Sequence, residues 1–229
     1  MYVAMSEDDQ HAKIARLLLA HPRIDVNKQN RDGETALHKA CEYGVIYHVG
    51  ARLLLSDDRC DVNARDNDGN TPLMFLTRKD DITADELTDD KITTIQSLLQ
   101  HGADFNHLNK HNESALWLYL RRAGTRPEFS LPRNELDNVN LFLLYGADPN
   151  VPAHLLAWAV KFCSLDVCRE LLQHGADPNS AFPNTELSPD QHGGKETALH
   201  CAARQNSPSK LNLLLGHGAE TDVLWKQKK

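Results

Sequence analysis

Leucine doublets recur along the chain at Leu18-Leu19, Leu98-Leu99, Leu143-Leu144, Leu171-Leu172 and Leu213-Leu214. Each closes a segment that reads as a helix with its leucines turned toward a core. Gly102, Gly146, Gly175 and Gly218 follow within a few residues, where a left-handed C-terminal cap takes glycine without a Cβ clash. A different polar-to-apolar step opens a second kind of helix. Thr35, Thr71, Ser114 and Thr197 each precede an apolar run and offer a hydroxyl to the unpaired amides of a first turn. Pro72 sits at the first helical position, where its missing N–H costs nothing. Small residues such as Ala36, Ala40, Ala202 and Ala203 let helices approach, and Asp66-Asn67-Asp68-Gly69 suits a turn. The pattern predicts pairs of helices and an all-α chain.

The same signals expose an internal repeat. One string recurs as Asp25-Val26-Asn27, Asp61-Val62-Asn63, Gly102-Ala103-Asp104-Phe105-Asn106, Gly146-Ala147-Asp148-Pro149-Asn150 and Gly175-Ala176-Asp177-Pro178-Asn179, with a weaker copy at Gly218-Ala219-Glu220-Thr221-Asp222. A second string alternates with it: Gly33-Glu34-Thr35-Ala36-Leu37-His38, Gly69-Asn70-Thr71-Pro72-Leu73-Met74, Asn112-Glu113-Ser114-Ala115-Leu116-Trp117 and Glu196-Thr197-Ala198-Leu199-His200. Two alternating signatures make a two-helix unit of variable length. These residues resemble the ankyrin repeat, and the resemblance covers nearly the whole chain.

The resemblance implies one ankyrin-repeat domain over residues 1–229, an all-α solenoid of stacked helix-turn-helix units with hairpin loops. It would open with a half repeat at 1–26, of which residues 11–20 supply only a second helix. Full repeats follow at 27–62, 63–105, 106–149, 150–178 and 179–222, and a tail at 223–229. The two ends are either caps or cut faces of a longer array. Insertions separate the helices of two repeats, an acidic one at 78–91 and a proline-containing one at 123–138. The repeat beginning at Asn150 has Pro152-Ala153-His154 in place of a hairpin turn, so its tip should be short or absent. The last hairpin is lengthened over 182–194 and should be mobile.

Composition narrows the function classes. Of 229 residues, 41% are apolar and 25% charged, enough for a packed core. Lys and Arg number 25 against 32 Asp and Glu, a formal charge of −7, which disfavours general nucleic-acid binding. Cys41, Cys60, Cys163, Cys168 and Cys201 include no C-x-x-C pair and fit a reducing compartment. No run approaches the ~18 to 20 apolar residues of a membrane helix, and Met1 opens no signal peptide. The expectation is a soluble cytoplasmic monomer, with the nucleus as an alternative, or a host cell's cytoplasm were it an effector.

Catalytic and metal motifs fail on inspection. Gly193-Gly194-Lys195-Glu196-Thr197 lacks the earlier glycine and the Ser/Thr after the lysine of a phosphate loop. Asp66, Asp68 and Gly69 resemble part of a calcium loop, but Ala64 and Phe75 occupy essential ligand positions. His154, Cys163 and Cys168 fall in one repeat, yet the histidines have structural reasons. By the resemblance, His38 and His200 hydrogen-bond near the turn. His101, His174 and His217 adjoin the terminal glycines, where they suit exposed carbonyls. Cys41 and Cys201 occupy a small core position. No enzyme, metal or cofactor is expected.

The resemblance also implies a protein partner, bound on a concave surface of hairpin tips and first helices. The variable positions follow the small-residue pair: Glu42 and Tyr43, Arg78 and Lys79, Arg121 and Arg122, Lys161 and Phe162, Arg204 and Gln205. Four consecutive repeats place cations there. The plain alternative is solvated helix ends that complement the helix dipole. Trp117, Tyr119 and Trp158 add aromatic bulk, although Tyr119 stands where a small core residue is usual. The candidate partner-binding set is Tyr43, Arg78, Lys79, Trp117, Arg121, Arg122, Trp158, Lys161, Phe162 and Arg204, for an acidic segment with an apolar anchor. Two other readings stand beside this adaptor role. One is the recognition module of a larger protein, such as a ubiquitin-ligase substrate receptor or a bacterial or viral effector. The other is a substrate of asparaginyl hydroxylation at Asn27, Asn63, Asn106 or Asn179, which have Leu19, Leu55, Leu98 and Leu171 eight residues earlier.

Overall fold

The computed structural model describes residues 9–42, 48–77, 89–124, 135–182 and 196–221. Among them are eleven helices and no strand, only an isolated bridge between Ala181 and Thr197. The chain divides into two compact units, Met1–Leu118 and Tyr119–Lys229.

The first unit holds α1 (Asp9–Leu19), α2 (Ala36–Glu42), α3 (His48–Leu55), α4 (Pro72–Thr77) and α5 (Asp89–Gln100). It is two-layered: α2 packs on α4 in one layer, while α3 lies between α1 and α5 in the other. Helix α6 (Ala115–Gly124) begins in this unit and ends in the next. The second unit repeats the scheme with α7 (Glu135–Leu144), α8 (Leu155–Phe162), α9 (Leu165–Gln173), α10 (Ala198–Arg204) and α11 (Pro208–Gly216). There α8 packs on α10, and α9 touches both α7 and α11. The core follows the repeat. Leu37, Leu73, Leu116, Leu155 and Ala198 open first helices, and Leu54, Leu98, Phe142, Leu171 and Leu214 close second helices, all 2% exposed or less.

Helix ends obey local chemistry. Buried His38 accepts the Thr35 N–H through Nδ1 at 3.0 Å, and its Nε2 reaches the carbonyl of Asn70 in the next repeat at 3.0 Å. Thr197 and His200 form the same reciprocal box. Ser114 Oγ accepts the Trp117 N–H. Thr71 departs from the expected cap: its hydroxyl is buried without a hydrogen bond, and the Met74 N–H turns to the Thr71 carbonyl instead. Met74 stands where the other two have histidine, and a thioether cannot hold the hydroxyl.

At the other end, Gly102, Gly146, Gly175 and Gly218 take φ of 83°, 93°, 90° and 87°. Each donates to the carbonyl three residues back, and the following alanine reaches back five. His101, His174 and His217 bond through Nδ1 to the carbonyls of Ser97, Glu170 and Leu213, as their position implied. Two leucines of the doublets do not face the core. Leu18 is 37% exposed, with α3 the described helix that packs on α1, and Leu144 is 71% exposed because its doublet is shifted one residue toward the glycine.

Asparagines join successive repeats. Asn27 Nδ2 donates to the Arg59 carbonyl at 2.7 Å while its Oδ1 accepts the Asp61 N–H at 2.8 Å. Asn63 makes the same pair with Gly102 and Asp104, and Asn150 with Gly175 and Asp177. This bond pair is itself a physical reason for asparagine to recur there. The hairpins also form a ladder: the Asn67 N–H donates to Asp32, and Lys110 to Asp68, each at 2.9 Å. Gly33 sits so close to Asn67 that a Cβ would lie 2.6 Å from its backbone nitrogen.

Candidate partner-binding site

Of the expected site residues, Arg121, Arg122, Lys161, Phe162 and Arg204 lie toward the C-terminal ends of first helices, all in the second unit. Helix α8 starts without a hairpin, as its sequence implied. Its N-cap residue His154 makes no side-chain cap bond. The missing cap arrives from the next repeat, where Ser180 Oγ accepts the Ala157 N–H at 2.9 Å. The far end of α8 is held by α11: Lys210 Nζ donates to the Val160 carbonyl at 2.6 Å and the Cys163 carbonyl at 2.9 Å. Gln205 Nε2 donates to the Lys161 carbonyl. These bonds satisfy carbonyls that a helix end leaves open.

The same bonds fix where α8 presents its last residues. Phe162 is 39% exposed. Its ring lies 4.8 Å from that of Trp158, of which 6% is exposed. Lys161 Nζ stands 5.3 Å from the Phe162 ring and 5.6 Å from the Phe182 ring. An ammonium between two aromatic faces is held by the negative ring quadrupoles. On the neighbouring α10, exposed Arg204 pairs with the buried carboxylate of Glu196 at 3.1 Å. Lys161 and Phe162 on α8, and Arg204 with the C-cap residue Gln205 at the end of α10, therefore stand on two helices that pack side by side. Arg121 is exposed on α6. Arg122 lies on the same helix, with its side chain outside the described residues.

Other candidates are placed differently. Tyr43, Arg78 and Lys79 lie outside the described residues, as does most of the lengthened last hairpin. Trp117 is 7% exposed and contributes to packing. Tyr119 is core: it stacks edge-on against Phe142, and its hydroxyl accepts from buried Asn138 at 3.0 Å. Glu42 is half-buried and pairs with Lys39, which also pairs with Glu34. Glu34 and Lys39 border an open hollow of about 210 Å³ that Lys28, Thr35 and Ala36 also line; none of the sequence candidates is in it. Ser180, Phe182 and Lys210 were missed by sequence reasoning because their partners lie 21 or more residues away.

The titratable groups are set by burial. Desolvation pushes the Cys60 thiol up to about 11 and Cys201 to about 12, and Cys41 higher still. Such thiols stay protonated at neutral pH and are poor nucleophiles or metal ligands. Burial lowers His38, against the opposing pull of its bond to Asn70. Among the described residues no three His, Cys, Asp or Glu side chains gather as a metal site would need, and no helix is long and apolar enough to cross a membrane.

Comparison with known proteins agrees with the helical repeat fold. A family model described as "Ankyrin repeats (3 copies)" matches residues 1–109 and 130–224. An ankyrin repeat domain from Acinetobacter baumannii AYE is similar in structure over 96% of this chain and 97% of its own, at TM-score 0.66 and 20% identity. The ankyrin repeat domain of Bcl-3, a member of the IkappaB family, is similar over 96% of this chain and 85% of its own, at TM-score 0.66 and 22% identity. No curated protein sequence matches.

Proposed function

The chain belongs to the ankyrin-repeat family, generally a module for protein–protein interaction, and from that premise we propose that it is a non-catalytic scaffold for an acidic segment with an apolar anchor. The binding surface is the set of first-helix ends in the second unit, with Arg121, Lys161, Phe162 and Arg204 as its described residues. Lys161 carries the reading. Its ammonium is held over Phe162 and Phe182 rather than spread into solvent, so a partner carboxylate can meet a positioned cation while an apolar side chain rests on Phe162.

Affinity capture with the intact chain beside an Arg121→Glu, Lys161→Glu variant tests this, with bound proteins identified by mass spectrometry. The variant should lose its partners and the wild type should retain them. A partner set unchanged by the reversal would mean that these cations only solvate helix ends. Phe162→Ala examines the anchor separately and should weaken capture without removing the charge.

A further inference from the structure

The face of α1 that carries Ile14, Leu17 and Leu18 is built like a face that is covered elsewhere in the first unit. Counting back from the Asp of the D-V-N string, Ile14, Leu17 and Leu18 occupy the places of Gly50, Leu53 and Leu54 in α3. In α3, which packs between α1 and α5, Gly50 and Leu54 are buried and Leu53 is half-buried. On α1 the three are 44%, 73% and 37% exposed, while Ala12 and Ala15 on its other side are buried. Residues 14, 17 and 18 form one helical stripe. Exposed Lys13 and Arg16 flank it.

The second unit carries a patch of opposite sign. Leu144 and Tyr145 are 71% and 40% exposed at the end of α7. The equivalent pairs before the other terminal glycines are Gln100-His101, Gln173-His174 and Gly216-His217. Half-buried Leu141 and exposed Asp137 lie one and two turns before Leu144 on the same side. A second helix resting on another second helix is the arrangement used throughout each unit. Leu141 and Leu144 have the same three-residue spacing as Ile14 and Leu17.

We propose that this face of α1 receives α7 of a second copy of this chain. Leu144 and Tyr145 cover Ile14, Leu17 and Leu18, and Asp137 faces the basic flank of Arg16. Two different patches meet, so the contact is heterologous. It buries few side chains and belongs with weak, concentration-dependent interfaces. It is independent of the groove reading and uses none of its residues.

Sedimentation equilibrium of the full chain, up to on the order of 100 μM, provides the test. Wild type should self-associate. Leu17→Lys and Leu144→Glu change side chains that are already exposed, so circular dichroism should stay native, while each variant alone should associate roughly tenfold or more weakly. Mixed together they should form a one-to-one heterodimer, because each keeps the patch the other lost. Arg16→Glu should weaken association, and adding Asp137→Arg should restore it. A wild type that stays monomeric throughout, as the sequence led us to expect, would overturn the proposal. So would a mixture that fails to associate, or self-association that neither variant alters.

Discussion

The hydroxyl of Ser180 accepts the backbone N–H of Ala157 at 2.9 Å, capping α8 from a place 23 residues further along the chain. The repeat that α8 opens has no threonine or serine before its first helix, so the cap comes from its neighbour. Replacing Ser180 by Ala should cost about 1 kcal/mol, the usual worth of an N-cap. Urea denaturation of wild type, Ser180→Ala and Ser180→Thr would show it, with threonine restoring most of the loss. Equal midpoints for all three would show that the bond contributes nothing.

Thr35 and Thr71 stand at equivalent places, yet only Thr35 has a histidine partner; the Thr71 hydroxyl is buried and unbonded. Removing an unsatisfied buried hydroxyl while keeping its shape is close to neutral or favourable. Thr71→Val should therefore leave stability unchanged or raise it by up to about 1 kcal/mol, whereas Thr35→Val should lower it by about 1 kcal/mol. Thermal unfolding of the two variants side by side distinguishes these outcomes.

Asn63 supplies both halves of an inter-repeat stitch, to the Gly102 carbonyl and from the Asp104 N–H. Asn63→Ala should destabilise by about 1–2 kcal/mol, the sum expected for two ordinary hydrogen bonds. Asn63→Asp retains the acceptor for Asp104 but turns an oxygen toward Gly102, so it should not rescue. Hydrogen exchange at the Asp104 amide should quicken in the alanine variant and stay slow in the aspartate one.

His38 is fully buried and its affinity for a proton is lowered chiefly by desolvation. The unfolded chain then binds the proton more readily than the folded one, so stability rises with pH where the two differ. The contribution of neutral His38 is complete above the unfolded value of about 6.5 and is lost progressively as pH falls below it. Denaturation midpoints measured from pH 7.5 to 5 should fall, and His38→Gln should flatten that slope while lowering the plateau. An undiminished slope in the variant would assign the acid sensitivity to other groups.

Much of this molecule is legible in its sequence, because the repeat writes the same local solution several times. Gly102, Gly146, Gly175 and Gly218 announce helix ends, and their positive φ is a requirement of the backbone alone. His101, His174 and His217 reach a carbonyl four residues back, within the span of one turn. The roles that escape are those set by neighbours in space. Trp117 and Trp158 are aromatic residues beside variable positions, but packing leaves them 7% and 6% exposed. Leu144 belongs to a doublet like the others, and a one-residue shift against Gly146 turns it outward. On a helix, one position moves a side chain by about 100°, which is enough to exchange core for solvent.

Sequence alone determined the all-α class, the alternation of two helices per repeat, and the glycine caps that end second helices, because each depends on residues within about a turn of one another. Tertiary structure decided which capping partner came from another repeat, which cation was held between rings, and which apolar stripes found a neighbour. Ser180 on Ala157, Lys161 between Phe162 and Phe182, and uncovered Leu17 all follow from how helices distant in sequence are stacked. Such stacking depends on side-chain volumes summed over many residues, which no short string of the chain records.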